Sequence, residues 1–282
     1  EIKVLKDILA SNESRAEEIR SLLKEKKVYM VDFMSSPGSG KTTLLDAVIG
    51  RLKGRYRIAI IEGDIKTTRD AERLAVHGIP IVQIETSLFG GDCHLESSWI
   101  RKCLDDFDLD SLDLVIIENI GNLVCPAEFE LGDDERVVVL SVTEGEDKPL
   151  KYPVMFRSAD VVLLNTCAIR DNAEQRIRGR LGLINAQKRT NPHLVVGVPG
   201  CLAERLREQF TEEERLVDLI VGPDDIRRHP APASGRRSRP PGGWRCRSVP
   251  SGALSVPDRR ASRLGSPRCG RTDRHSVRMA TP

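Results

Sequence analysis

The stretch "YMVDFMSSPGSGKTTLL", Tyr29 to Leu45, decides how this chain folds. A largely apolar run enters a turn of small residues, and Lys41-Thr42 then open a segment with leucines at positions 44 and 45. Strand, glycine-rich turn and helix in that order aim backbone N–H groups at one point, with the positive end of the helix behind them. Gly38 and Gly40 let the backbone turn and approach closely. The arrangement is a phosphate cradle lined by Pro37, Gly38, Ser39, Gly40, Lys41, Thr42 and Thr43. Lys41 reaches the β and γ phosphates and Thr42 ligates Mg²⁺. The pattern G-x-x-x-x-G-K-[ST] has one departure, Ser35 in place of its first glycine.

Outward from the cradle, short apolar runs alternate with helical stretches. Tyr29–Met34, Arg57–Glu62, Pro80–Glu85, Leu114–Asn119, Val137–Val142, Val161–Asn165, Leu194–Gly200 and Asp218–Gly222 are expected as strands. Helices are expected over Lys41–Lys53, Thr67–His77, Leu95–Leu104, Asp171–Arg189 and Leu202–Phe210. "EIKVLKDILASNESRAEEIRSLLKEKK" sets Leu5, Leu9, Ile19, Leu22 and Leu23 at helical spacings between charges and reads as a leading amphipathic helix. The fold class is therefore α/β, a P-loop NTPase-like parallel sheet with helices on both faces, continued by further strand-helix units.

Two strand ends offer acids for Mg²⁺ or for orienting a water: Asp64 in "IIEGD" and Glu118 in "DLVIIENIGN", with Gly121 three residues on. With Lys41 they are the expected catalytic groups. A second constellation is softer. "GGDCHLESSW" holds Cys93-His94 and "IENIGNLVCPAEF" holds Cys125, two thiols and an imidazole suited to Zn²⁺ or Ni²⁺. Neighbouring side chains on a strand point to opposite faces, so Cys93 and His94 chelate only from a loop. By spacing alone, buried structural cysteines are the favoured reading.

Average charge misleads. The 282 residues net +2, yet Arg227–Pro282 carries fourteen arginines, no lysine and two acids, a net of +12. That Arg, Pro, Gly and Ser-rich tail has no apolar period and is expected to be disordered. A nucleic-acid arm and an out-of-frame reading of a GC-rich gene both produce such a composition. Seven cysteines at irregular spacing, no signal peptide and no apolar run of membrane length point to the cytoplasm and to no membrane partner. The first residue is Glu1 rather than Met, the expectation for a fragment.

Residues 2–160, with "MSSPGSGKTTLL", "EGDIKTTRDAERL", "GGDCHLE", "ENIGNLVCPAEFELGD" and "SVTEGEDKPLKYPVMF", resemble the hydrogenase nickel-incorporation GTPases of the HypB type. The resemblance implies a GTP-hydrolysing homodimer with Zn²⁺ or Ni²⁺ on Cys93, His94 and Cys125 at the subunit interface. It also implies delivery of nickel to a hydrogenase precursor with a partner nickel chaperone. Cys125 would then feel a switch that begins at Glu118.

A GTPase holds guanine with Asn-Lys-x-Asp at a strand end, where this chain has Asn165-Thr166-Cys167-Ala168. From Ala159 the sequence, with "ADVVLLNTCAIRDNAEQRIRGRLG", "NPHLVVGVPGCLAERL" and "VDLIVGPDDIRRHP", is similar to the N-terminal domain of the MiaB-type tRNA methylthiotransferases. That resemblance implies Cys167 and Cys201 as two ligands of a [4Fe-4S] cluster. The third ligand and the radical-SAM cysteine triplet are missing, which argues against a cluster. The expected organisation is a GTPase domain over residues 1–158, a methylthiotransferase-like segment over 159–230 and the tail over 231–282. On that reading tRNA is a partner only if the second segment acts, and a chimeric product without function as a unit is the third reading. Asn165 remains as the residue that touches the nucleotide from the base side.

Overall fold

The computed structural model describes residues 2–89, 93–145, 147–165, 173–200 and 217–222. Leu202–Phe210 and the Arg-rich tail lie outside them, as do Cys167 and Cys201. Among the described residues, eight strands form one wholly parallel sheet. They are β1 Tyr29–Ser35, β2 Ile58–Asp64, β3 Ile81–Glu85, β4 Leu114–Gly121, β5 Glu135–Ser141, β6 Val161–Asn165, β7 Val195–Pro199 and β8 Leu219–Val221. Their order is β3-β2-β4-β1-β5-β6-β7-β8. α1 Ile2–Lys26 precedes the first strand, and parallel neighbours need crossovers, in which α2 Lys41–Leu52, α3 Arg69–Ala75, α4 Ser97–Asp105, α5 Lys148–Lys151, α6 Pro153–Ser158 and α7 Ala173–Thr190 take part.

Alternation along the strands sorts side chains into layers. Phe33, Ile58, Ile60, Ile116, Val137 and Val139 meet Leu45 and Ile49 of α2 and Leu74 of α3. On the opposite face Met30, Ala59, Ile61, Val115 and Ile117 meet Ile19 and Leu23 of α1 and Ile100 and Leu104 of α4. Further along that face Val138, Leu140, Val162, Leu164, Val196 and Val198 meet Phe156 of α6 and Ile177, Leu181 and Ile184 of α7. Each fully buried Leu or Ile contributes about 1.5–3 kcal/mol against leaving it exposed, so the central strands are the stable scaffold on which loops can carry chemistry.

β6 joins the sheet in register with β5, Leu164 beside Leu140, and β7 pairs β6 in turn. The sheet therefore runs without interruption past Ala159, where the sequence reading set a domain boundary. Helices α5 and α6 are additions to the expected elements.

Candidate functional site

β1 sits between β4 and β5 in the middle of the sheet, and the turn after it carries the cradle. Gly38 and Gly40 have φ of 76° and 87°, the left-handed region that favours glycine. Among the described residues only Lys27 outside glycine has positive φ, so Ser35 stands in ordinary backbone and tolerates a side chain where the motif usually has glycine. Its hydroxyl donates to the Ser36 carbonyl at 3.0 Å. The Ser36 hydroxyl donates to Glu144 in the loop after β5.

Lys41 and Thr42, at the start of α2, converge on one atom. The Lys41 ammonium donates to Glu118 Oε1 at 2.9 Å and the Thr42 hydroxyl donates to the same oxygen at 2.6 Å. Glu118 is 1% exposed, and its Oε2 is buried without a hydrogen-bond partner. Ser39 Oγ, in the cradle, is likewise buried and unpartnered. Unmet hydroxyl and carboxylate oxygens beside a lysine fit a magnesium-bound phosphate chain, whose cation and anions would satisfy them.

Asp64 is placed differently from Glu118. It ends β2 and spends its carboxylate locally, accepting from Ile65 N at 2.5 Å, Thr67 N at 3.2 Å and the Thr67 hydroxyl. Sequence reasoning passed over Glu62, which lies in register beside Glu118 and is 2% exposed. Burial, then the negative charges of Glu118 and Asp64, push its carboxyl up to about 8, against the pull of Lys41. The signal was present in "IIEGD", where Glu62 shares a strand with Asp64, but the pairing of β2 with β4 was needed to set it beside Glu118.

Asn165, the last residue of β6, donates from Nδ2 to the Ser39 carbonyl at 3.0 Å. A Cβ on Gly40 would stand 2.6 Å from that nitrogen, so the asparagine presses on the cradle from the side of β6.

β4 links the cradle to the soft donors. Gly121 closes the strand against the cradle, where an added Cβ would meet Pro37 at 3.1–3.2 Å. Asn122 follows and donates to the Cys93 carbonyl at 3.1 Å, while its oxygen accepts from Val124 N at 2.9 Å. Cys125 opens the short turn Cys125–Ala127. Cys93, His94 and Cys125 each offer a donor atom, all within 4.8 Å of one another. The two sulfurs, free thiols, lie 2.7 Å apart, and the His94 ring stacks on Phe129 at 3.8 Å between centroids. The hydrogen bond to Cys125 and burial both raise the Cys93 thiol above its ordinary value. Two sulfurs and an imidazole fit Zn²⁺ or Ni²⁺ and suit Mg²⁺ poorly. Cys103 is elsewhere, buried on α4, with its thiol pushed up to about 11 by burial.

Residues 30–191, more than half of the chain, match the CobW/HypB/UreG nucleotide-binding domain. The chain belongs to the CobW/HypB/UreG family. It is 41% identical over 220 residues to the probable hydrogenase maturation factor HypB of Methanocaldococcus jannaschii, an alignment covering 78% of this chain and 96% of that protein. With HypB of Escherichia coli K12 it shares 48% identity over 159 residues, 56% of this chain and about half, 54%, of that protein. HypB of Helicobacter pylori, in a crystal structure with nickel, superposes with a TM-score of 0.58 at 38% identity, over 67% of this chain and 86% of that one. The match to the CobW/HypB/UreG family continues through Ala159 to residue 191. The change of family expected at Ala159 is thereby corrected: the comparisons show one family across that point and no methylthiotransferase-like segment.

Among the described residues of this CobW/HypB/UreG chain, no helix is long and apolar enough to cross a membrane.

Proposed function

We propose that this chain is a GTP hydrolase that carries Ni²⁺ or Zn²⁺ on Cys93, His94 and Cys125 and serves hydrogenase maturation in the cytoplasm. The observation that carries the proposal is one strand with two outputs. Glu118 of β4 holds Lys41 and Thr42 of the cradle, and the same strand runs within four residues to Cys125 of the donor trio. The family and the nickel complex of the Helicobacter pylori relative support it.

Thr42 and Glu118 would hold Mg²⁺, which would supply charge stabilisation for phosphoryl transfer to water. The residues do the rest. Lys41 is held by Glu118 in a site where it is 10% exposed, so a phosphate chain along Gly38–Thr43 competes for its ammonium. When Lys41 turns to the phosphates, Glu118 loses its counter-charge, and its carboxylate with the Thr42 hydroxyl would be left to hold a cation. The backbone N–H groups of the cradle and Lys41 stabilise charge on the transferred group, and Glu118 or Asp64 orients the water. Movement of Glu118 strains β4, and through Gly121 against Pro37 and Asn122 against the Cys93 carbonyl it reaches the two loops bearing the thiols. Nucleotide state thereby sets the grip on the metal, as a nickel carrier requires. A second copy of this chain, a partner nickel chaperone and a hydrogenase precursor complete the reading.

Guanine selection is weakened in this proposal. Asn165 is in place, but Ala168 stands where an aspartate would accept two N–H groups from the base. Charge-assisted bonds are worth about 1.5–3 kcal/mol each, so discrimination against adenine drops by roughly a hundredfold or more. Titration calorimetry tests the whole. Lys41→Ala is expected to abolish nucleotide binding in magnesium buffer, and Cys125→Ser to abolish stoichiometric Zn²⁺ or Ni²⁺ binding. A Lys41→Ala chain that binds GTP as tightly as the parent overturns the cradle, and strong preference for GTP over ATP in competition overturns the weakened base selection.

A further inference from the structure

Among the residues of helix α1 whose burial is described, one polar side chain is buried in the apolar stripe, Asn12, 8% exposed. Its amide nitrogen donates to the Glu130 carbonyl at 2.7 Å, and its amide oxygen accepts the Ser97 backbone N–H at 2.9 Å. Its own carbonyl accepts the Ser97 hydroxyl at 2.9 Å. The orientation is fixed by these partners, because a flipped amide would set N–H against N–H and oxygen against oxygen.

The partners are not neighbours of one another in sequence. Ser97 begins α4, three residues after His94, and Glu130 lies five residues after Cys125, next to the Phe129 that stacks on His94. One carboxamide therefore bonds to both loops that carry the donor trio. α1 holds the second loop in two further places: Arg20 pairs with Glu130, and Gly132 packs where any Cβ would stand 2.7 Å from the Ala16 carbonyl and from Ile19.

We infer that Asn12 is a positioning residue for the soft-metal site, setting the separation of the Cys93-His94 loop from the Cys125 loop before metal arrives. The inference rests on the metal reading of the preceding section. Donors on separate loops bind tightly only when the loops are already held at the right spacing, since otherwise the metal must order them as it binds. Groups that orient ligands without touching the metal typically govern affinity by about 10- to 100-fold.

The test uses the full chain. Zn²⁺ affinity is measured by competition with a chromophoric chelator, and Co²⁺ is added separately so that thiolate charge-transfer and d–d bands report the donor geometry. Asn12→Leu, close in size and without hydrogen bonds, is expected to lose Zn²⁺ affinity by about tenfold or more and to shift the Co²⁺ bands. Its affinity for a non-hydrolysable GTP analogue should stay within about twofold of the parent, a split that general damage to the fold would not produce. Asn12→Asp, which keeps the oxygen for Ser97 and loses the donor to Glu130, and Ser97→Ala should show smaller losses. They carry the same comparison if the leucine variant does not fold. Unchanged Zn²⁺ affinity and Co²⁺ spectra across these variants, or parallel loss of GTP-analogue binding, would overturn the positioning role. If the parent chain binds Zn²⁺ no better than Cys125→Ser, the metal reading itself fails and takes this role with it.

Discussion

Asp32 lies on β1 with no exposure at all, its carboxylate taking two hydrogen bonds from the Asn119 amide at 3.1 and 3.2 Å. Burial, then the charge of Asp133, lift it to about 7, against the pull of Arg136 and the Asn119 amide. The folded chain therefore holds a proton here that the unfolded chain, at its ordinary value of 3.8, has released. Between those values the folded state binds more protons, so this group's contribution to stability is full at low pH and is lost as pH rises toward about 7. A carboxamide in its place would stay neutral throughout. Asp32→Asn is thus expected to gain stability relative to the parent as pH rises from about 4 to 7, by up to about 1.4 kcal/mol per pH unit, and to level off above. Chemical denaturation at pH 5 and pH 8 checks it; parallel behaviour of the two proteins would refute it. At this scale Lys41, Thr42 and Glu118 could be picked out as candidates because each lies in a short recognisable stretch, and the structure brings the three side chains together. Asp32, Glu62 and Asn12 were not, because their partners are set by strand register and by helix docking rather than by sequence neighbours.

Arg180 shows what an element adds. It is buried on α7 and donates to the Ser141 carbonyl at 2.6 Å and to the Glu144 carbonyl. α7 thereby fixes the loop after β5, whose Glu144 accepts the Ser36 hydroxyl in the cradle and the Ser141 N–H at 3.3 Å. Replacing the guanidinium by an apolar chain leaves two carbonyls without these donors, at about 1–3 kcal/mol each. Arg180→Met is expected to lower unfolding free energy in urea by roughly 2–4 kcal/mol and to weaken nucleotide binding as well. Wild-type stability in that variant would show that the loop holds without α7. The eight strands were readable from apolar runs, and the observed bounds differ from the expected ones by a residue or two at their ends, as fraying and pairing dictate. α5 and α6 were not readable. In "KPLKYPVMF" Pro149 and Pro153 look like helix breakers, whereas here each lies in the first turn, where its missing N–H costs nothing.

At the scale of the molecule, charge and core divide the chain in the same place. The apolar clusters draw on residues from Ile19 to Val198, with Val217 and Ile220 packed against them, and Glu1–Ala233 is one compact unit. That portion is acidic in excess, with 30 basic against 40 acidic residues through Ile226, while Arg227–Pro282 nets +12. A polyanion is repelled by the first and attracted by the second, and the attraction falls steeply with salt. A chain ending at Ala233 is therefore expected to keep its melting temperature, its nucleotide affinity and its Zn²⁺ stoichiometry. The full chain is expected to be retained on heparin in a salt-dependent way, and the truncated chain to lose that retention. Both halves of that outcome carry weight. Loss of nucleotide binding on truncation would make the arginine-rich segment part of the phosphate site rather than an independent polyanion contact. Heparin retention that survives truncation would locate the attraction on the acidic body instead, where Lys41 is already paired with Glu118 and Arg15, Arg20, Lys26, Arg57 and Arg73 also face carboxylates.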